Sequence, residues 1–222
     1  MAWPVWLPDL LLYYLPLAFA AGACLYHGAV AAAALRFRSE REPVSPYTPP
    51  VSVLKPLRGI EPHFYQTLAG FFRQQYPHYE IVFGLSDEND PARWTIAQLQ
   101  RDFPAVPVKL VVVPQSEAAN PKLGKLQRMI EAARHETFVI SDADIAVAPD
   151  YLREVVRPLA EQRVGMVTCL YRGVPSRGVR SVLEALGMSA EFAGQVLLGR
   201  ALNGMTFGLG STMATRKQPV AA

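Results

Sequence analysis

Two aspartates that lie one residue apart, Asp142 and Asp144, are the residues of this sequence best suited to chemistry. They come directly after a short apolar run, Thr137–Ile140, which is typical of a buried β-strand. In an extended segment, residues i and i+2 can point to the same side, so the two carboxylates could act together. Paired hard oxygen ligands suit Mg²⁺ or Mn²⁺, and such a cation neutralises the charge of a diphosphate leaving group. The competing interpretation is a helix cap followed by a solvated turn acid, but the position directly after a strand favours the metal site.

Other charged positions follow predicted strands or open predicted helices. Asp87 comes after the apolar run Tyr79–Leu85, where a carboxylate could accept hydrogen bonds from a nucleobase or a ribose, or could form an ordinary turn. Lys122 stands at the start of a predicted helix, where it could help to hold a phosphate or remain solvated. The pair Lys55 and Arg58 could also face a phosphate, but we interpret it as part of a surface turn. The sequence contains neither G-x-G-x-x-G nor G-x-x-x-x-G-K-[ST], so dinucleotide-binding and P-loop functions lose their main support.

These residues depend for their placement on an alternation of strand-like and helix-like segments. The predicted strands are Val51–Leu54, Tyr79–Leu85, Val108–Val113, Thr137–Ile140 and Val164–Tyr171. The predicted helices are Pro62–Gln75, Pro91–Asp102, Lys122–Ala133 and Pro149–Leu159. Such alternation predicts an α/β domain with a mostly parallel sheet, in which ligands bind beyond the carboxyl ends of the strands. We therefore expect the acidic residues and a lysine to converge on one edge of the sheet.

The N-terminal segment predicts a membrane anchor. No charged residue occurs from Leu10 to Leu35, which is about the length needed to cross a bilayer core of roughly 30 Å. The residues that flank this run are Trp3 and Trp6 before it, and Arg36, Arg38 and Arg41 after it. The positive-inside tendency then places the following domain in the cytoplasm. Pro16 is expected to kink the helix; a cleaved signal peptide and a buried helix of a soluble domain are the two weaker alternatives.

Composition limits the classes of function. The chain has 222 residues, 18% of them charged, and a net charge of +3 that is too small and too dispersed to indicate a nucleic-acid partner. Its two cysteines, Cys24 and Cys169, have no near partner in sequence, so a disulfide framework is not expected. We predict four parts, which are a membrane anchor (1–38), a Pro-rich linker (39–50), an α/β domain (51–217) and a tail (218–222).

A second apolar segment, residues 182–213, is rich in Leu, Ala, Gly and Met and contains Gly204-x-x-x-Gly208. Small residues at that spacing can serve helix contacts in membranes. Arg200 and Glu191 interrupt the run, so we interpret it as an interfacial helix followed by a buried strand. Such a helix would bring the mouth of the site to the bilayer surface.

Six segments in a fixed order carry a resemblance to a known family. They are VSVLKPLRGIEP (Val51–Pro62), QQYP (Gln74–Pro77) with YEIVFGLSDENDPA behind it, NPKLGKL (Asn120–Leu126), SDADI (Ser141–Ile145), YRGVP (Tyr171–Pro175) and GSTMATRK (Gly210–Lys217). Together they span about residues 50–217 and resemble an inverting, family-2-type glycosyltransferase with the GT-A fold. The closest likeness is to the ceramide glucosyltransferase branch and to the similar hopanoid-biosynthesis glycosyltransferases of bacteria.

The resemblance implies roles for the matched positions. Asp87 would contact the uridine of a UDP-sugar, and Lys122 would lie near its diphosphate. Asp142 and Asp144 would hold the sugar-diphosphate and a Mg²⁺ or Mn²⁺ ion. The Gly204–Ser211 stretch would border the sugar and the acceptor. The implied reaction transfers glucose or N-acetylglucosamine, with inversion, to a hydroxyl of a hopanoid or ceramide-like lipid at the inner membrane.

The same resemblance leaves the catalytic residue unassigned. The family places a third acid, the presumed general base, downstream of the region that resembles GSTMATRK, followed by a Q/R-x-x-R-W element. The chain ends at Ala222 without either, so we expect a C-terminally truncated protein that binds UDP-sugar and turns over poorly. Two alternative functions stay open, namely a non-catalytic membrane-tethered protein that binds nucleotide sugars, and another sugar-nucleotide enzyme on an α/β sheet.

Overall fold

The computed structural model describes residues 10–40, 46–114 and 121–217, and it leaves out the side chains of residues 10, 11, 121 and 122. The chain divides into two compact units. One, the helical unit, combines Met1–Glu42 with Leu170–Phe207; the other, the sheet unit, combines Pro43–Cys169 with Gly208–Ala222. Positions 3, 6 and 41, part of the predicted linker and the predicted tail lie outside the described residues, and the predicted domain boundaries remain a prediction.

The sheet unit is built on six strands in the order β3-β2-β1-β4-β6-β5. Their bounds are β1 Val51–Pro56, β2 Tyr79–Leu85, β3 Val108–Val112, β4 Thr137–Ser141, β5 Met166–Thr168 and β6 Thr212–Arg216. The first four strands pair in parallel, whereas β6 runs antiparallel to both of its neighbours. The predicted α/β class with a mostly parallel sheet is therefore confirmed. The fifth strand is shorter than predicted, since only three of its residues pair with β6.

Helices cover both faces of the sheet. They are α2 Phe64–Phe72, α3 Ala92–Asp102, α4 Pro121–Ala132 and α5 Tyr151–Val156, the last continued by a 3₁₀ turn Arg157–Ala160. The second helix begins two residues later than predicted because His63 adopts a left-handed backbone conformation (φ 57°), which the helix cannot include. Pro62 therefore precedes the helix instead of occupying its first turn.

The central strand β1 separates two apolar clusters. Alternate residues of a strand point to opposite faces, so Val53 packs in the larger cluster with α2, α3 and α5, whereas Leu54 packs in the smaller one with α4. Gly84 of β2 lets α4 approach closely, since a Cβ atom there would lie 2.4 Å from the Met129 sulfur. Burial on both faces explains why these strands read as continuous apolar runs.

The helical unit contains the long apolar helix that the sequence predicts. A π-helical turn, Leu10–Tyr14, leads into α1, Leu15–Ser39. The stretch Leu12–Ser39 is long and apolar enough to cross a membrane, and nearly all of its surface is exposed within this unit. Pro16 stands in the first turn of α1, where a helix tolerates proline, and the expected kink stays a prediction.

The described part of the helical unit also contains two further helices. These are α6, Val179–Leu186, and α7, Ala193–Asn203, joined by the π-helical turn Gly187–Phe192. Helix α7 packs along the C-terminal half of α1. Gly194 permits this close approach, because a Cβ atom at that position would lie 2.7 Å from the Val30 side chain. An ion pair of 2.6 Å between Arg200 and Glu40 joins the same two helices at their ends.

Candidate functional site

The carboxyl ends of β2, β1 and β4 meet at one edge of the sheet unit. The three strands are parallel neighbours, so the chain leaves all of them on the same side. The segments that follow are Leu57–Gly59 after β1, Ser86–Asp90 after β2 and Asp142–Ile145 after β4. The predicted convergence of polar residues on this edge is what such a topology produces.

The segment after β4 is a tight turn. The Ile145 amide donates to the Asp142 carbonyl at 3.4 Å, and the Asp142 amide donates to the Ser211 carbonyl at 3.0 Å. The expectation of an extended segment is therefore wrong, because the chain turns as soon as the sheet ladder ends at Ser141. The Asp142 side chain is half-buried and that of Asp144 is exposed, so one carboxylate is anchored in the fold while the other reaches solvent.

Lys55 is the residue that the sequence interpretation misplaced. It lies within β1, and its side chain is completely buried instead of forming a surface turn. Its amine donates to the Asp142 carbonyl and to the Ser141 hydroxyl, the latter at 3.5 Å, and it lies 4.0 Å from the centre of the Phe71 ring. The signal in the sequence was the predicted buried strand Val51–Leu54, which leads directly into Lys55.

The electrostatics of Lys55 connect it with both aspartates. Burial lowers the pKa of its amine to about 7, and the nearby charges of Asp144 and Asp142 oppose that shift. The amine thus lies close enough to both carboxylates to interact with them through the protein interior. A cation held under the turn favours the two negative charges at its surface.

Asp87 lies on the same edge, two strands away from Asp142. It is exposed, and its carboxylate accepts a hydrogen bond of 2.8 Å from the Asn89 amide, which is the pattern of an Asx turn. The turn uses one of the two carboxylate oxygens of Asp87, Oδ1. Its role toward a nucleotide stays a prediction.

Two residues that sequence reasoning missed fix the loop after β1. The buried Asp90 carboxylate accepts from the Gly59 amide at 3.1 Å and from the Ala92 amide at 2.9 Å, so it joins this loop to the start of α3. Lys125 of α4 is buried, and its amine donates to the Leu57 carbonyl at 2.7 Å. Burial lowers the pKa of Lys125, which the charge of Asp90 partly opposes. The Asp-Pro pair before α3, a common helix opening, was the available signal for Asp90.

Lys122 falls in the first turn of α4, as predicted, but its side chain lies outside the described part of the chain. Residues 115–120, which precede the helix, are also outside it. The expected contact of Lys122 with a diphosphate therefore stays a prediction.

The Gly204–Ser211 stretch is divided between the units. Gly208–Ser211 belongs to the sheet unit and leads directly into β6 beside the Asp142 turn. Within the described residues, the Ser211 hydroxyl is the one buried side-chain polar atom without a hydrogen-bond partner. Its backbone carbonyl accepts the Asp142 amide, so an unsatisfied hydroxyl belongs to the residue that holds the turn.

The donor set at this edge fits a divalent cation that a ligand completes. Among the described residues, no group of three or more His, Cys, Asp and Glu side chains could hold a metal ion. Asp142 and Asp144 offer two hard carboxylates, which is the usual protein share for Mg²⁺ or Mn²⁺ bound together with substrate phosphates and water. The unsatisfied Ser211 hydroxyl next to this turn is a further oxygen that a bound ligand could satisfy.

Comparisons with known sequences agree on one family. The model of glycosyl transferase family 21 matches residues 15–222. Ceramide glucosyltransferase 1 of Caenorhabditis elegans is 27% identical over 168 residues, which are 75% of this chain and 36% of that protein. The ceramide glucosyltransferase of Komagataella phaffii is 30% identical over 121 residues, which are 53% of this chain and 24% of that protein. The chain thus spans about a third or less of the length of these relatives.

Two solved structures share the fold. The mannosyltransferase PcManGT from Pyrobaculum calidifontis, in complex with GDP-Man and Mn²⁺, has a TM-score of 0.61 and 23% identity, covering 89% of this chain and 55% of that one. Glucosyl-3-phosphoglycerate synthase from Mycobacterium tuberculosis, in complex with Mn²⁺, UDP and glucosyl-3-phosphoglycerate, has a TM-score of 0.50 and 18% identity, covering 80% of this chain and 63% of that one. These similarities confirm the predicted GT-A-type fold, and at such identities they concern the fold alone.

Proposed function

Because the chain belongs to glycosyl transferase family 21, we propose that it binds a UDP-sugar and serves the transfer of a hexose to a lipid hydroxyl at a membrane. The names of the relatives, ceramide glucosyltransferases, favour glucose as the sugar and a ceramide-like lipid as the acceptor. N-acetylglucosamine is the alternative sugar and a hopanoid the alternative acceptor, and the donor-binding assay below distinguishes the two sugars.

One observation carries the proposal, namely the turn Asp142–Ile145 held over the buried amine of Lys55 at the carboxyl edge of the sheet. A diphosphate carries negative charge that two carboxylates alone would repel, so donor binding at this edge requires positive charge. Asp142 and Asp144 would hold a Mg²⁺ or Mn²⁺ ion, which supplies charge neutralisation for the departing nucleoside diphosphate. The mannosyltransferase and the synthase that share the fold were both solved with Mn²⁺ and a nucleotide.

The chain's own residues would position the donor. Lys55 fixes the carbonyl of Asp142 from below, so the turn is preorganised before the donor arrives. Asp87 would accept hydrogen bonds from the uridine through the carboxylate oxygen that its Asx turn does not use. Asp90 and Lys125 keep the loop after β1 in place beside them. We further propose that Lys122 contacts the diphosphate.

The membrane part of the proposal rests on α1. Its apolar stretch, Leu12–Ser39, meets the length and composition required for a span. Arg36 and Arg38 close the helix, so the positive-inside tendency would leave the sheet unit on the cytoplasmic side of an inner membrane. An acceptor that resides in the bilayer is then available to an enzyme anchored in it.

Donor binding by the whole chain in detergent tests the proposal. Calorimetric titration with UDP-glucose or UDP-N-acetylglucosamine should show binding with Mn²⁺ and little with a chelator, and the tighter donor identifies the sugar. Asp144→Asn should weaken binding at least about tenfold, because a charge-assisted contact worth roughly 1.5–3 kcal/mol is lost.

Asp102→Asn is the matched control, since Asp102 is exposed at the end of α3 and accepts a hydrogen bond from the Tyr65 hydroxyl. That variant should bind like the parent chain. Binding that ignores the metal and survives Asp144→Asn would refute the proposed site.

A further inference from the structure

Helix α6 exposes a complete apolar face. Four of its eight residues, Val179, Val182, Leu183 and Leu186, recur at the i, i+3, i+4, i+7 spacing that places side chains on one side of a helix. Their exposed fractions lie between 43% and 77%, and no residue of the helix is buried. Contiguous apolar surface of this kind on a short helix indicates an interaction face.

The side of α6 opposite its apolar face contacts the rest of the helical unit. A Cβ atom on Gly173 would lie 2.5 Å from the Ala185 Cα atom, so the backbone of that segment presses against α6. The Ser176 amide donates to the Ser181 hydroxyl at 2.7 Å, again on the side away from the apolar face. The exposed apolar residues are therefore the outward side of an anchored helix, turned away from the contacts that hold it.

The charges around α6 are positive on balance. From Leu170 to Phe192 the chain contains three arginines against two glutamates. Arg172 and Arg177 precede the helix, and Arg180 lies within it, where it pairs with Glu184 at 3.1 Å on the polar side. An amphipathic helix that two arginines precede suits the surface of a bilayer with anionic lipids.

The rest of the helical unit indicates that the apolar face of α6 contacts a lipid surface. The same unit contains α1, and α7 packs along the C-terminal half of α1, near Val30 and at the Glu40–Arg200 ion pair. Arg36 and Arg38 lie in the last turn of α1, so α1 would emerge from the bilayer at this end. A helix carried by this unit is thus kept close to a lipid surface.

We propose that the α6 face formed by Val179, Val182, Leu183 and Leu186 inserts into the headgroup region of an anionic phospholipid bilayer. The inference rests on the proposed membrane anchoring by α1 and adds a second, peripheral contact to it. It also assigns the bilayer-facing surface to residues 179–186, which overlap the start of the predicted apolar segment 182–213.

Spin labels at three positions test the inference in the whole chain, reconstituted in vesicles of phosphatidylcholine with phosphatidylglycerol. The native thiols are first removed by Cys24→Ala and Cys169→Ser, and single cysteines then replace Leu183, Glu184 or Leu25. Oxygen concentrates in lipid and a nickel chelate stays in water, so the collision rates of a nitroxide with the two relaxants report its surroundings.

The Leu183 label should collide with oxygen and escape nickel, whereas the Glu184 label, on the polar side, should collide with nickel. The Leu25 label on α1 is the reference and should report lipid. Replacing phosphatidylglycerol by phosphatidylcholine should shift the Leu183 label toward water, because each arginine near an anionic surface contributes about a fivefold preference.

The outcomes separate this inference from the proposed anchoring. Lipid at Leu25 with water at Leu183 overturns the inference and leaves the anchor in place. Shielding of the Leu183 label from both relaxants means that protein covers the face, a second copy or another partner, and also overturns it. Water at Leu25 overturns the anchoring and the inference together.

Discussion

Lys55 buries a charged amine beneath the Asp142 turn, which affects both the stability of the chain and donor binding. Replacing Lys55 by methionine separates these two effects. Methionine is similar in length and packs well against an aromatic ring such as Phe71, so the variant should fold. It removes the positive charge and the hydrogen bonds to the Asp142 carbonyl and the Ser141 hydroxyl. We expect the variant to be more stable than the parent chain and to bind the donor less well.

The size of the stability effect follows from burial. The pKa of Lys55 is lowered from 10.5 to about 7, and one pKa unit corresponds to about 1.4 kcal/mol, so keeping the amine charged costs about 5 kcal/mol. Two lost hydrogen bonds, each worth about 1 kcal/mol, offset part of the gain from removing that charge. Lys55→Met should therefore raise the free energy of unfolding at pH 7 by about 1–3 kcal/mol.

The pH dependence has a definite sign. Between pH 7 and 10.5 the unfolded chain holds the Lys55 proton while the folded chain releases it, so this residue makes the parent more stable as the pH rises. Methionine does not titrate. The stability advantage of Lys55→Met should thus be largest at pH 7 and below, and it should shrink as the pH approaches 10.

The assays are thermal unfolding by circular dichroism in detergent with a chelator, and calorimetric donor binding with Mn²⁺. Donor affinity should fall about tenfold to a hundredfold, since a charged hydrogen bond is worth roughly 1.5–3 kcal/mol. Lys109→Met is the matched control, because the exposed Lys109 amine also donates to a backbone carbonyl, that of Ala132 at 2.8 Å. Unchanged donor affinity in Lys55→Met, or an equal loss in Lys109→Met, would refute the positioning role of Lys55.

Three further predictions concern other contacts. Gln74→Leu should lower the free energy of unfolding by about 1–3 kcal/mol, because the buried Gln74 side-chain amide forms hydrogen bonds with three backbone groups. Chemical denaturation measures the change, and an unchanged free energy of unfolding would contradict this prediction. Ser211→Ala should leave the stability of the chain unchanged or slightly raised, since the buried Ser211 hydroxyl has no hydrogen-bond partner among the described residues. The same substitution should weaken donor binding. A clear loss of stability would speak against a ligand contact of this hydroxyl. Gly173→Ala should loosen α6, because the added Cβ meets the Ala185 backbone at 2.5 Å, and trypsin should then cleave faster at the arginines around that helix. Equal cleavage rates in the parent and the variant would disprove that packing.

The sheet was predictable because its central strands are buried on both faces. Tyr79–Leu85 is a strand with the bounds that its apolar residues indicate, and the neighbouring strands differ from prediction by one or two residues. The edge strand β5 was overestimated, since the apolar run Val164–Tyr171 continues past the residues that have a partner. The apolar character of a segment does not determine where its backbone pairing begins and ends, since β6 has five residues and only three of them pair with β5.

The place of the candidate site on the sheet edge was predictable, and its geometry was less so. Strand order places the segments after β2 and β4 on one edge, as the alternation of elements implied. The turn at Asp142 depends on two hydrogen bonds, from the Ile145 amide to the Asp142 carbonyl and from the Asp142 amide to the Ser211 carbonyl. Ser211 is nearly 70 residues away in sequence, so the local sequence does not predict this turn. Lys55 was misread because a lysine is normally exposed, and its burial is made tolerable by tertiary contacts with Ser141, Asp142 and Phe71.

Electron–nuclear double resonance of Mn²⁺ in the presence of UDP and the whole chain tests the central claim most directly. The claim is that Asp142 and Asp144 hold a divalent ion that also contacts the nucleotide's diphosphate. It predicts a protein-bound Mn²⁺ signal with phosphorus coupling, which both Asp142→Asn and Asp144→Asn abolish and Asp102→Asn leaves intact. A spectrum identical to that of Mn²⁺ and UDP without the chain, or one that survives both substitutions, would contradict it.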